Sequence, residues 1–258
     1  MGYNGNYVTE FEGYLQEIST DDGSITLNCE DDIFLTREAI PDAQLKSTSL
    51  KEIAEYVCLN VGGLTVDCTY DFQYDNFIIR QATGFDVLSK LQEESKANIY
   101  IKEGVLHIHP AYIEIFGKVT FDFFRNIETS DLEYKDASNR RFEVVVEGIG
   151  ADGKRMTVTV GTTGGDRRSI KVYGVTDPEM LKKRGDEELK YIVYTGYEGS
   201  ITGWLIPVVE PGYSLLLRDE EYEYKNGRYY VVSVTTKFSG TGGGSRTIGL
   251  GPKLSANG

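Results

Sequence analysis

Two histidines stand one residue apart, His107-x-His109, and the chain has no others. On a strand, residues two apart share a face, so this spacing could set both imidazoles on one metal ion. No third ligand is evident among the 40 Asp and Glu. The pair therefore reads as two semi-exposed strand residues ahead of Pro110 that hold no stoichiometric metal. Gly161-Thr162-Thr163-Gly164-Gly165-Asp166-Arg167-Arg168 has the glycines of a phosphate cradle. It lacks the closing Lys-Ser/Thr, and no helix opens directly after it. It reads as a glycine-rich hairpin tip whose arginines could dock on an acidic neighbour. Carboxylates cluster at Asp219-Glu220-Glu221-Tyr222-Glu223 and at Asp186-Glu187-Glu188. Paired carboxylates can hydrolyse glycans, but runs of like charge in a loop or on an outer helix face read as solvated surface. No serine sits in a G-x-S-x-G elbow. With no complete catalytic or ligand set, the expectation is a protein that is not an enzyme, with no catalytic, cofactor-binding or metal residues.

Composition narrows the class further. The chain has 258 residues, enough for more than one core. Its 18 Tyr and 11 Phe favour strands. A formal net charge of −13 opposes tight, sequence-independent nucleic-acid binding, which needs Lys and Arg against phosphates. No apolar run is long enough for a membrane helix, and the opening Met1-Gly2-Tyr3-Asn4-Gly5 has neither the basic region nor the apolar core of a signal peptide. Cys29, Cys58 and Cys68 make an odd count without a C-x-x-C. They read as reduced, buried small hydrophobes, which fits assembly in a reducing cytosol.

The elements that must position these residues follow from periodicity. Residues 7 to 36 read as strands, Val8 to Ile18 and Ser24 to Cys29, around an Asp21-Asp22-Gly23 turn. Ser49 with Glu52 forms a capping-box pattern that opens a helix carrying Leu50, Ile53, Ala54, Val57 and Cys58, and Gly62-Gly63 stops it. Leu64 to Cys68 is a strand. Thr83-Gly84-Phe85-Asp86 starts a second helix, with Phe85, Leu88, Leu91 and Gln92 on one face. Asn98 to Ile101 and Val105 to His109 form a hairpin. Strands return at Tyr112 to Phe124, Leu132 to Tyr134, Phe142 to Ile149, Lys154 to Gly161 and Ser169 to Val175, with a turn at Ala151-Asp152-Gly153. The aromatics Tyr112, Phe116, Phe121, Phe123 and Phe124 read mainly as core, with a protomer interface as the minority reading. Asp177-Pro178 opens a helix from Glu179 to Thr195, with Leu181, Leu189, Ile192 and Val193 inward and charges outward. The chain then lays strands at Ser200 to Ile206 and Tyr213 to Arg218, turns at Asn226-Gly227, runs back from Tyr229 to Phe238, and reverses on Gly240 and Gly242 to Gly244 into Arg246 to Leu250. Trp204 sits in an apolar run that reads as buried.

In that order these segments resemble the phage late-control and tail-baseplate hub family. Glu10-Phe11-Glu12-Gly13-Tyr14-Leu15-Gln16-Glu17-Ile18 is similar to the family's F-x-G-x-v-x-x-i strand, and Leu27-Asn28-Cys29-Glu30-Asp31 to its i-x-c-x-D. Thr83 to Leu88, Asn98 to Ile101 and Gly104-Val105-Leu106-His107-Ile108 resemble its middle domain. The helix near 179 to 195, Gly203 and Pro211-Gly212 match its downstream order. Each motif is a few common residues, and the ordered series over nearly the whole chain carries the resemblance.

The resemblance implies an α+β, mostly β fold: two β-barrel-like regions flanking a small α/β insert. Residues 1–46 would be a partial first β-barrel domain, truncated at its N-terminus. Residues 47–110 would be a small α/β domain, and 111–258 a second β-barrel domain with one inserted helix at about 178–195. It implies a structural subunit of a (pro)phage tail or related injection-machine baseplate hub. Such hubs are trimeric rings that join the tail tube to the spike and let DNA or tape-measure protein pass. The partners would be further copies of itself in a homotrimer, with the tail tube and spike proteins, DNA only in passage through the lumen, and no membrane insertion. This chain alone is expected to trimerise weakly or stay monomeric. It would belong to the virion tail and be assembled in the bacterial cytoplasm. The alternative is a non-enzymatic carbohydrate- or receptor-binding β-domain, which needs an exposed aromatic platform.

Overall fold

The computed structural model describes the chain except residues 1, 4, 8, 138, 139, 151, 224, 225, 240–242 and 256–258. The chain is mostly β, and it divides into two compact units. The first comprises 1–111, 144–160 and 169–186, the second 112–143, 161–168 and 187–258.

In the first unit, β1 (Gly2–Tyr3) and β2 (Asn6–Tyr7) make a minimal antiparallel pair, and β3 (Tyr14–Asp21) and β4 (Ser24–Glu30) make a hairpin. Its turn places Gly23 at φ +81, a conformation that costs glycine little. The strand predicted from Val8 to Ile18 is shorter than expected and begins at Tyr14, Val8 itself lying outside the described residues. Gly13 lies so close to the Glu30 backbone that a Cβ there would stand 2.1 Å from the Glu30 carbonyl oxygen. The predicted strand character does not last to residue 36. Asp31 caps a 3-10 helix, Asp32–Arg37, by accepting a hydrogen bond from Ile33 N. Among the described residues β3 and β4 pair only with each other, so the expected first barrel is a two-stranded ribbon. Among the described residues its apolar face stays exposed, and Cys29 is exposed rather than buried.

After β5 (Ala43–Ser49) the predicted helix appears as α1 (Leu50–Val61). Its capping box is complete: Ser49 Oγ accepts from Glu52 N at 3.2 Å, and Glu52 Oε2 accepts from Ser49 N at 2.7 Å. Leu50, Ile53, Ala54, Val57 and Cys58 are buried. β6 (Thr65–Cys68) follows as predicted, and then β7 (Gln73–Ile79), which the sequence reading leaves unassigned and which pairs antiparallel with β5. α2 (Gly84–Ser95) has a second capping box, Thr83 with Asp86. Its inward face is Val87, Leu88, Leu91, Glu94 and Ser95, whereas Gln92 is exposed. Gly84 allows close helix approach, since a Cβ there would meet Val57 Cγ1 at 3.0 Å. β8 (Ala97–Lys102) and β9 (Val105–Pro110) form the predicted hairpin, with Glu103 and Gly104 both at positive φ, as a type I′ turn requires. β6 adds to β9 in parallel, giving the sheet order β6-β9-β8.

The chain then passes through β10 (Gly117–Asp122) and β11 (Ile127–Lys135) into a three-stranded sheet of β12 (Phe142–Ile149), β13 (Arg155–Gly161) and β14 (Asp166–Tyr173), with β12 central. The predicted Ala151-Asp152-Gly153 turn has Gly153 at φ +78, and Ala151 lies outside the described residues. α3 (Pro178–Ile192) ends three residues before the predicted Thr195. Leu181 is buried on Gly148. The expectation that its charges all face outward fails twice. Arg184 is buried and donates from Nε to the Glu94 carbonyl at 2.8 Å, and Glu188 is buried as well. A charged side chain enters an interior where a specific partner satisfies it.

The second unit is a six-stranded sheet completed by β15 (Gly196–Trp204), β16 (Tyr213–Arg218), β17 (Gly227–Ser239) and β18 (Gly243–Ser255). Its order is β10-β16-β17-β18-β15-β11, with β10 and β16 parallel and the other neighbours antiparallel. The predicted second barrel is therefore an open sheet among the described residues. Its two edge strands, β10 and β11, are joined through a turn that Asp122 and Asn126 close, but no ladder links them. Phe121, Ile201, Leu215, Leu217, Tyr229, Val231 and Ile248 form its core.

Three local predictions miss in this unit. The strand expected from Tyr112 starts at Gly117, because Tyr112 sits at φ +65. Asn226-Gly227 is not the centre of a tight hairpin. β16 ends at Arg218, Asn226 Oδ1 accepts from Asp219 N at 2.6 Å, and Gly227 opens β17 opposite Leu217. Trp204 is 58% exposed, at the end of β15. The glycine tip predicted at Gly240 to Gly244 lies outside the described residues up to Gly242.

Candidate functional site

The histidine pair sits on β9, where the period of two is clear. Leu106 and Ile108 have no exposure and face the core, so His107 and His109 lie on the other face. The parallel register sets Asp67 of β6 beside His107. Asp67 Oδ2 is 3.2 Å from His107 Nδ1 and 3.5 Å from His109 Nε2. Ligand atoms from all three lie within 4.8 Å of one another. Just past β6, the Thr69 hydroxyl is 2.7 Å from His109 Nδ1. Tyr100, opposite His107 on β8, stacks its ring on that imidazole at 4.9 Å between centroids. A third candidate ligand, absent from the sequence reading, thus stands 40 residues upstream of His107. His109 is buried rather than semi-exposed. The available signal was Leu64 to Cys68, legible as a strand, but nothing local says that it pairs with β9.

The remaining constellations find partners within their own unit. At the glycine-rich tip, Gly164 N donates to Glu143 Oε2 at 2.8 Å, so a carboxylate takes an amide that a phosphate would use. The Arg168 guanidinium pairs with buried Glu188 at 2.9 Å, the acidic neighbour its sequence allows. The reading of Asp186-Glu187-Glu188 as solvated surface therefore fails at Glu188. It fails also at Asp219, which is buried and accepts from Glu221 N and Tyr222 N at 3.0 and 2.9 Å, ordering the acidic loop. Of the dense aromatics, Phe121 is core, while Phe116 and Phe124 are exposed. Tyr112 packs edge-on to Tyr230 at 5.2 Å, and burial pushes its hydroxyl up to about 12. A cavity of about 150 Å³ on the first unit, between Asn76, Ile78, Lys90 and Tyr173, is smaller than the ~300 Å³ at which small-molecule sites begin. Burial also pushes the Cys58 thiol up to about 11, and the described cysteines are free.

No protein-family model matches the chain, and no curated protein matches its sequence. Solved structures do match. A tail protein from Neisseria meningitidis MC58 superimposes with a TM-score of 0.66 at 15% identity, over 93% of this chain and 79% of that one. The 43 kDa tail protein of prophage MuSo2 from Shewanella oneidensis gives 0.63 at 18% identity, over 92% and 78%. The E. coli c3393 protein, a type VI secretion component described as structurally similar to the T4 tail proteins gp27 and gp5, gives 0.61 at 9% identity, over 95% of this chain and 61% of that one. At these identities the likeness is one of fold, and it spans both compact units.

Proposed function

We propose that the chain is a structural, non-enzymatic subunit of a (pro)phage tail or related injection-machine baseplate hub. The observation that carries this reading is the extent of the fold likeness: more than nine-tenths of the chain follows tail proteins and a secretion-machine component through both units. In this reading the protein closes as a homotrimeric ring in which each protomer offers two complementary surfaces. The ring joins the tail tube to the spike in the virion tail, after assembly in the bacterial cytoplasm. DNA or tape-measure protein passes through its lumen, and the net charge of −13 keeps DNA from adhering to the wall. The three-part division at 1–46, 47–110 and 111–258 belongs to the same proposal.

Light scattering on the protein, alone and with tail-tube and spike proteins, tests it. A trimer, or a threefold assembly with those partners, is expected. A monomer at concentrations on the order of tens of micromolar that forms no threefold assembly with either partner overturns it.

The exposure of Trp204 favours a second reading, a carbohydrate- or receptor-binding β-domain with an aromatic platform. Glycan-array binding that Trp204→Ala abolishes would select it.

A further inference from the structure

We propose that Asp67, His107 and His109 bind one divalent transition-metal ion of the zinc class, with a fourth position open to solvent. The distances argue for it first. Metal–ligand bonds of about 2.0 to 2.1 Å set the edges of a tetrahedral site at roughly 3.3 to 3.4 Å. The two edges from Asp67 Oδ2, 3.2 and 3.5 Å, bracket that value before any ion is bound. The histidine–histidine edge is the one left to adjust, within the 4.8 Å that spans the three ligand atoms. The ligand set argues next. Two imidazoles with one carboxylate suit zinc, cobalt or nickel, and a magnesium or calcium site is built from oxygen.

The surroundings hold these atoms in place. Thr69 Oγ1 engages His109 Nδ1 and leaves Nε2 as the ring nitrogen turned toward Asp67, the outer contact that orients a metal-bound imidazole. Tyr100 packs flat on His107. The ladder β6-β9-β8 carries all three ligands on regular strands, which place side chains more closely than loops do. Access is open as well, because the Asp67 side chain is 51% exposed and His107 23%. The β6–β9 register spans only four residue pairs, so a bound ion would staple the short parallel strand to the hairpin.

The test is titration of the chelator-washed chain with Zn²⁺, and separately with Co²⁺. One Zn²⁺ per chain with a Kd of about 10 μM or lower is expected, with visible Co²⁺ absorption of the intensity typical of four-coordination. Asp67→Asn and His107→Gln keep the side-chain shapes and should each weaken binding at least about tenfold, whereas Glu103→Gln in the neighbouring turn should not. A second readout needs no variant. The chain's two histidines are the proposed ligands, so Co²⁺ should shift and broaden both imidazole signals in the NMR spectrum. No stoichiometric binding up to about 100 μM Zn²⁺ overturns the proposal. So do a Kd unchanged in both variants and imidazole signals that Co²⁺ leaves in place.

Discussion

The β3–β4 ribbon and the six-stranded sheet are written in the same sequence code and meet opposite fates. Ser24-Ile25-Thr26-Leu27-Asn28-Cys29 alternates as cleanly as Lys118-Val119-Thr120-Phe121-Asp122 or Arg246-Thr247-Ile248-Gly249-Leu250. In the sheet that pattern yields Phe121 and Ile248 with no exposure. In the ribbon every residue of β3, and of β4 through Cys29, stays exposed. Alternation says which side chains share a face. It does not say that anything covers that face, and a two-stranded hairpin has no second layer of its own. The hub proposal gives the ribbon's bare face, with Leu15, Ile18, Ile25 and Leu27, a place in the assembled ring.

The comparison predicts unequal sensitivity to mutation. The largest loss belongs to the sheet core. Tyr229 is fully buried, and its hydroxyl accepts from Tyr197 N at 3.0 Å. Tyr229→Ala should cost about 3 to 5 kcal/mol by urea denaturation, and a loss below 1 kcal/mol would mean that this sheet is no better packed than the ribbon.

The next effect comes from Glu94 in the first unit, a charge where the pattern of α2 requires an apolar residue. Burial pushes its carboxyl up to about 7, against the opposing pull of Lys90. An acid whose folded pKa is raised is best tolerated protonated. Its stabilising state is complete below about pH 4.5, and stability falls as the pH rises from there through 7. Glu94→Gln should therefore gain about 2 to 3 kcal/mol at pH 8 and flatten the slope of stability between pH 4.5 and 7. A variant equally destabilised at pH 5 and pH 8 would show that burial does not raise this carboxyl.

Smaller again are the helix caps. Ser49→Ala and Thr83→Ala each remove the hydroxyl of a reciprocal capping box and should cost about 1 kcal/mol apiece in the same denaturation experiment. Smallest is the ribbon itself. Ile25→Ser should change the stability of the isolated chain by less than about 0.5 kcal/mol. A change above 1 kcal/mol would show that its apolar face is covered in solution.

Much of the first unit's helical framework was legible in the residues, because its determinants are local. A capping box needs a hydroxyl and a carboxylate three positions apart, and Ser49-Glu52 and Thr83-Asp86 are that signal. Glu103-Gly104 likewise marks a hairpin whose strands are neighbours in the chain. The candidate metal site was half legible. His107-x-His109 lies within one strand, but Asp67 arrives through a parallel pairing over a separation of 40 residues, and parallel register leaves no mark on either strand's sequence. The same limit hid β7, whose partner β5 lies on the far side of α1. It also misplaced Trp204, Cys29 and Glu188. An apolar run at the end of β15 does not reveal that the sheet stops there, an alternating hairpin does not reveal that none of the described residues buries it, and an acid on a helix does not reveal that it will be buried against Arg168 of β14. Local backbone geometry and capping are settled by interactions within a few residues. Burial, pairing across the chain and the closure of a ligand set depend on which distant segments come together, and only the tertiary fold decides that.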